Sequence, residues 1–224
     1  EHVLENGIQV RDNRSSPNIE SLKIRNSEEA LYLVLNAVSR ITKKITEIKT
    51  STVFNFGNWI HKINLQNGND ERLLNKNLTF IKIDNSKIFN HNFHKSNLSN
   101  SDFSNSNLSR CNFVDANLSN SKFTNSTIIK ANLLNANLKE SDFSFSRMYG
   151  TDFRYSNLNS SKIISADLKY SDFRYSKLFE TSFKETDLAF SDFSFSNISL
   201  EQLIEAESLY KCKGIKEEFK QILE

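Results

Sequence analysis

The residues able to do chemistry are few and poorly placed for it. There are four histidines, His2, His61, His91 and His94, and two cysteines, Cys111 and Cys212. His91 and His94 lie close in sequence, but no carboxylate or cysteine stands at metal-ligand spacing from them, and both read as polar residues of the outer surface. Nothing beside Cys212 marks it as an activated thiol, and two widely separated cysteines do not make a disulfide framework or a zinc site. The sequence carries no Gly-rich phosphate loop, no nucleophile elbow and no His-Glu zinc motif. A metal, a cofactor and an enzymatic role are therefore not expected. The constellation that does recur is Arg beside Tyr. Arg154-Tyr155 and Arg174-Tyr175 are 20 residues apart, and Phe195 takes the same place one step later. Tyr170 and Phe190 are likewise 20 apart, with Phe145 and Tyr149 nearby. Arg and Tyr are favoured at binding hot spots, and exposed aromatic clusters mark contact surfaces. The competing reading is a ladder that only braces neighbouring strands.

What positions these side chains is an internal repeat. Every fifth residue from Leu78 to Ile198 is apolar without exception. Neither the 3.6-residue helical period nor the two-residue strand period sustains such a beat. Two residues before most centres the side chain is small, as at Ser96, Ser101, Cys111, Ala116, Ser121, Ala131, Thr151 and Ser171. Cys111 at such a position reads as a core residue. The residue just before the centre is often Asn or Asp, as at Asn97, Asp102, Asn117, Asp152 and Asp172. These short side chains suit turns, where they bond nearby backbone. The remaining two positions are variable and mostly polar. The repeat accounts for the many Asp residues better than catalysis does.

Ala116-Asn117-Leu118-Ser119-Asn120, Ala136-Asn137-Leu138-Lys139-Glu140 and Ser171-Asp172-Phe173-Arg174-Tyr175 resemble the unit of the pentapeptide-repeat family. The resemblance covers about residues 76–200. It implies an all-β solenoid, a right-handed quadrilateral β-helix in which each pentapeptide forms one side and four make a coil. The central residue and the small residue two before it would point inward. Sorting the centres in steps of 20 supports such a coil. One face reads Phe93, Phe113, Leu133, Phe153, Phe173, Phe193, and the face ten residues away reads Ile83, Phe103, Phe123, Phe143, Ile163, Phe183. The two intervening faces contain no Phe. About six coils at ~4.8 Å each predict a rod roughly 30 Å long. With no Gly or Pro breaking the register, the prism is expected to be continuous.

The flanks read differently. Residues 1–72 form an N-terminal segment, irregular over 1–25, where the only proline, Pro17, lies. Leu31, Leu35, Val38, Ile41, Ile45 and Ile48 predict an amphipathic helix at about 27–49. Val53-Phe54-Asn55-Phe56 suits a strand, with Gly57-Asn58 as a turn. The solenoid is expected over 73–200 and a helical cap over 201–224. Leu200–Ser208 reads as a short helix, and Ile215, Phe219, Ile222 and Leu223 share one face of a last helix. An open β-helix end exposes core and unpaired backbone, so this tail caps the prism or, by analogy with some related proteins, carries a homodimer contact.

The function classes narrow accordingly. The formal net charge is +2, from 29 basic and 27 acidic residues, so no bulk field drives the chain onto nucleic acid or anionic membrane. No stretch reaches the ~18 apolar residues of a membrane span. No signal peptide is evident, which suits the cytoplasm or secretion into a host cell. The expected role is a non-enzymatic scaffold of bacterial type. It would bind an unidentified partner protein through its outer faces, at Phe145, Tyr149, Arg154, Tyr155, Tyr170, Arg174, Tyr175, Phe190 and Phe195. The alternative is a DNA-mimicking, gyrase-binding protein of the quinolone-resistance type. A phosphate mimic should be strongly acidic, whereas 15 basic and 12 acidic residues lie between Lys76 and Leu200. Direct nucleic-acid binding through Arg154, Arg174, Lys169 and the nearby tyrosines is disfavoured by the small patch and the near-neutral balance.

Overall fold

Each pentapeptide has to turn the chain through one corner, and the backbone shows how. The second of the two variable positions has positive φ at every corner from Asn75 to Phe195, between 51° and 64°. The corner also closes a carbonyl-to-amide bond, as where Ser96 N donates to the Phe93 carbonyl at 3.0 Å. Positive φ at only the second central residue is the type II turn. Asn tolerates this region better than other side chains, and it fills the corners at Asn85, Asn100, Asn105, Asn120, Asn125 and Asn135. Where the residue before the centre is Asn or Asp, it locks the corner from outside. Asp102 Oδ1 accepts from Ser104 N at 3.0 Å, and Asn107 Oδ1 from Ser109 N at 3.1 Å.

A computed structural model describes residues 74–223 together with the strands β1 (His2–Val3), β2 (Gln9–Val10) and β3 (Phe54–Asn55). Parallel bridges join residues 20 apart, from Asn77 with Asn97 up to Asp172 with Asp192, with no break. Four sides therefore make one coil. The axial bonds repeat accordingly. Phe93 N donates to the Asn112 carbonyl at 2.7 Å, Asn112 N to the His91 carbonyl at 2.8 Å, and Lys95 N to the Val114 carbonyl at 2.9 Å. At the first coil, β4 (Ile81–Lys82) pairs in parallel with β3, so the chain's own upstream segment covers that edge. β1 pairs antiparallel with β2. β1 and β2 fall within the 1–25 stretch expected to be irregular, whose other residues lie outside the described ones, as do the helix expected at 27–49 and the Gly57-Asn58 turn.

Every repeat centre from Leu78 to Ile198 is buried. The phenylalanines form columns on opposite faces. Phe103, Phe123 and Phe143 stack with centroids 5.0 and 4.6 Å apart, and Phe153, Phe173 and Phe193 at 4.8 and 4.9 Å. Across the interior the columns meet edge to face, as Phe143 meets Phe153 at 6.3 Å and 89°. Offset-stacked and edge-to-face pairs are the two arrangements the ring quadrupole favours. Most of the small inward side chains find backbone acceptors in this apolar space, Ser161 and Ser196 being exceptions. Ser121 Oγ donates to the Leu98 carbonyl at 2.8 Å, Thr151 Oγ1 to Ile128 at 2.9 Å and Cys111 Sγ to Ile88 at 2.9 Å.

His91 is a correction to the sequence reading. It stands two residues before Phe93, at an inward position, and is buried rather than on the surface. Its Nδ1 bonds the Phe89 carbonyl at 2.9 Å. Polarity suggested an outer residue, but the repeat register overrides it.

The C-terminal end differs from a plain helical tail. Helix α1 covers Leu200–Ile204 and stops short of the expected Ser208. Ser199 and Gln202 form a reciprocal capping box at its start. Gln202 Nε2 donates to the Leu178 and Thr181 carbonyls at 2.6 and 2.7 Å, meeting acceptors at the top of the last full coil. The solenoid then resumes, with bridges from Asp187 to Ser208 and Asp192 to Lys213. Their spacing is 21 rather than 20, so one inserted residue hides the beat. Gly214 then crosses over the coil below. Its φ is +72°, and a Cβ there would lie 2.0 Å from Ser194 N. Helix α2 (Glu217–Leu223) follows. Ala206, Leu209, Cys212, Ile215 and Phe219 pack against the core, while Ile222 is exposed.

Candidate interaction surface

The residues singled out in the sequence fall mostly on one side of the C-terminal half. Tyr155, Tyr175 and Phe195 occupy one corner on successive coils. Their rings stack 4.8 Å apart at both steps, within 7° of parallel. Tyr170 and Phe190 occupy the neighbouring corner and stack at 4.5 Å. That second ladder runs on in both directions. Tyr149 leans against Tyr170 at 5.1 Å, and Tyr210 meets Phe190 edge-on at 5.3 Å. Gly150 leaves the space into which Tyr149 leans. A Cβ on Gly150 would meet only Lys130 Cγ, at 3.6 Å.

The wall between these ladders is a row of alternating charge. Asp152, Asp172 and Asp192 stand on successive rungs, since each is bridged to the next. Arg154 grips Asp152 through Nε at 2.9 Å and a terminal nitrogen at 2.7 Å. Arg174 grips Asp172 at 2.9 and 2.6 Å in the same fashion, and Arg154 Nε also lies 3.6 Å from Asp172. Two-pronged pairing of this kind fixes the guanidinium plane. Partial burial opposes ionisation of Asp172, but the hydrogen bond and charge of Arg174 override it and hold the carboxyl below its ordinary range. The same contacts raise both arginines above theirs, Arg154 through Asp152 and Arg174 through Asp172. Lys169 is engaged as well, at 3.0 Å from Asp187 and 3.1 Å from Asp167, and its hydrogen bond to Asp187 leads the upward shift of its ammonium. The cations that looked available for nucleic acid are thus already matched by carboxylates.

One expected member does not join. Phe145 is exposed, but it sits at the corner diagonally across the coil from Tyr155. Sequence reasoning missed Tyr210 and Lys211. Lys211 Nζ lies 5.8 Å from the Phe190 centroid and 5.2 Å from that of Tyr210. Lys211 escapes counting in steps of 20, because the one-residue insertion puts it 21 residues after Phe190 at the equivalent positive-φ corner, and Tyr210, 20 residues after Phe190, therefore stands just before that corner. Phe89 and Phe179, also exposed, stand away from the ladders.

Among the described residues no group of three or more His, Cys, Asp or Glu is placed to hold a metal ion. Burial pushes the Cys111 thiol up to about 12 and the Cys212 thiol to about 11, the reverse of activation. Among the described residues no helix is long and apolar enough to cross a membrane.

Comparison with known proteins fits the coil geometry. Eight copies of the pentapeptide-repeat model match residues 92–125 and 116–154. Residues 92–154 carry the repeats of the pentapeptide-repeat family. Pentapeptide repeats fold as right-handed quadrilateral β-helices, the hand and section expected of the 20-residue coil. Similar solved pentapeptide-repeat structures include one from the Arabidopsis thaliana thylakoid lumen, at 25 % identity and TM-score 0.35, covering 47 % of this chain and 70 % of that one. Another is Rfr23 from the cyanobacterium Cyanothece, at 20 % identity and TM-score 0.36, covering 48 % and 63 %. A third is a trypsin-treated form of QnrB1, a plasmid-mediated fluoroquinolone resistance protein, at 15 % identity and TM-score 0.39, covering 67 % and 84 %. No curated protein matches the sequence.

Proposed function

We propose that this pentapeptide-repeat chain is a non-enzymatic scaffold that binds a partner protein through its C-terminal side. The observation that carries the reading is the pair of aromatic ladders, Tyr155-Tyr175-Phe195 and Tyr170-Phe190, flanking the Asp-Arg row. These rings stand at corners with φ near +60°. A bulky residue there costs about 1 kcal/mol or more in backbone strain, which the Asn of the N-terminal coils largely avoids. Stacking offsets part of that cost, yet the same stacking would be served equally well in the N-terminal half, where Asn is used instead. Apart from Phe80 and Phe145, the aromatic side chains at corners gather on this C-terminal side, and they project on a rigid frame that loses little entropy on binding.

The gyrase-binding alternative would call for an acidic face. The Asp row is instead neutralised at Asp152 and Asp172 by Arg154 and Arg174, which favours the scaffold reading. The test is a quantitative pull-down comparing wild type with a Tyr155→Asn, Tyr175→Asn, Phe195→Asn, Phe190→Asn variant, after circular dichroism shows that both fold. Asn is chosen because it already serves this corner elsewhere. A partner held by wild type and lost by the variant supports the proposal. Equal capture by both removes the ladders from the argument, and capture of purified gyrase by both revives the alternative.

A further inference from the structure

Two sides round the coil from the Asp-Arg row, the outward residues of the opposite wall alternate in charge. Lys82, Asp102, Lys122, Asp142 and Lys162 are each bridged to the next, and Ser182 ends the column. No other wall alternates among the described residues: the adjacent one runs from Asn77 through Asn157 without a charge, and the wall between the ladders changes from Asn to Asp. Lys122 and Lys162 are exposed. Asp102 and Asp142 accept from Ser104 N and Ser144 N at their own corners. Among the described residues none of these four charges closes an ion pair within the chain, unlike Arg154 and Arg174 on the other side. Phe145 stands at the edge of this wall, 58 % exposed, in a corner column otherwise made of Asn, Ser and Glu.

A column of alternating sign is complementary to its own reverse. Two copies laid wall to wall in parallel set each charge against its twin. Turned antiparallel about a two-fold axis midway between two rungs, they set Lys against Asp. We propose that this wall binds a second copy of the chain, antiparallel, about a two-fold axis between the Lys122 and Asp142 rungs. That axis lies at the middle of the column and keeps all six rungs in register. Lys122 then faces the second copy's Asp142, and Asp102 faces its Lys162, each pair occurring twice. Lys82 faces the uncharged Ser182, and at the neighbouring corner Asp84 faces Lys184. Phe145 lies close to the axis, so the two copies bring their Phe145 rings about one strand spacing apart along the prism. A ring that stands alone in the monomer thereby gains an apolar neighbour. The proposal goes beyond the partner-binding reading and uses the other side of the molecule. A dimer built this way turns both sets of ladders outward, so a partner with two binding segments is held with avidity.

The test is sedimentation of the purified full chain, at concentrations up to about 0.5 mM because one wall is small beside the ~1,600 Å² of a standard interface. Wild type is expected to form a dimer that dissociates between about 0.1 and 1 M salt, as the Debye length falls from ~10 to ~3 Å. Lys122→Asp alone opposes like charges at both central pairs, and so does Asp142→Lys alone. Each should dimerise roughly tenfold more weakly or worse. Mixed in equal amounts, the two variants should recover a heterodimer, because each then meets the opposite sign on the other. Phe145→Asn should weaken the dimer at either salt concentration. Lys and Asp both already occupy this column, so the charge variants are expected to fold, which circular dichroism checks. A chain that stays monomeric throughout, a dimer indifferent to salt and to both charge variants, or a mixture that fails to recover association would each overturn the arrangement. The ladders are untouched in these variants, so failure here leaves the pull-down result standing, and equal capture in the pull-down leaves the dimer standing.

Discussion

A single phenylalanine shows how narrow this core is. Phe123 lies between Phe103 and Phe143, with centroids 5.0 and 4.6 Å away. The column offers no neighbour free to refill the space, so Phe123→Ala should cost about 3–5 kcal/mol, readable as a lower midpoint in denaturant. Asp172 supplies a second prediction at this scale. Its folded carboxyl titrates below the ordinary range because Arg174 holds it ionised. The resulting stability is present above about pH 4 and is lost as pH falls through the lower folded value. Wild type should therefore lose stability more steeply than Asp172→Asn between about pH 4 and 2, and parallel curves would refute the assignment. Residue roles were largely readable in the sequence, since one beat of five named every buried centre. His91 was misread because its type was weighed before its register. The pairing of Arg174 with Asp172 was hidden because both residues occupy outward repeat positions, where spacing alone gives no partner.

The element least legible in advance was the C-terminal end. The beat seemed to stop at Ile198, yet Ser208 and Lys213 bridge back to Asp187 and Asp192. One extra residue in the α1 turn shifts the phase, and periodicity alone does not see past a phase shift. Gly214 is what lets the chain cross, with positive φ and no room for a Cβ against Ser194. Gly214→Ala should loosen this last coil without unfolding those below. Cys212 reports on it, because burial pushes its thiol to about 11 and its Sγ donates to the Leu188 carbonyl at 2.9 Å. Alkylation of Cys212 at pH 8 should be slow in wild type and markedly faster in Gly214→Ala, while Cys111 stays protected in both. Equal rates at Cys212 would show that the crossing does not depend on this glycine.

At the scale of the whole molecule the register of columns matters more than any one contact. Phe faces alternate with aliphatic faces around the coil, so stability depends on which multiple of five is added or removed. Deleting 20 consecutive residues from the middle of the solenoid should restore every column and leave a shorter, cooperatively folded prism. Deleting ten exchanges one Phe face for the other and should be moderately harmful. Deleting five sets Phe over Leu and Ile throughout and should be the worst, as judged by thermal unfolding. An order that followed deletion length instead would mean that the columns do not specify the stack. The sequence periodicity made this architecture plain, whereas the gathering of two ladders and a charged row on one side emerged only from the coil geometry.

The axial direction of the backbone bonds carries a mechanical consequence. Amides such as Phe93, Lys95 and Asn112 all donate along the prism axis to the coil above or below. Tension applied between the two ends would load these bonds by peeling, one after another, rather than all together in shear. Each released coil would free about 70 Å of chain, at roughly 3.5 Å for each of its 20 residues. Stretched in this way, the rod would behave as a low-force extensible spring whose length is quantised by the coil.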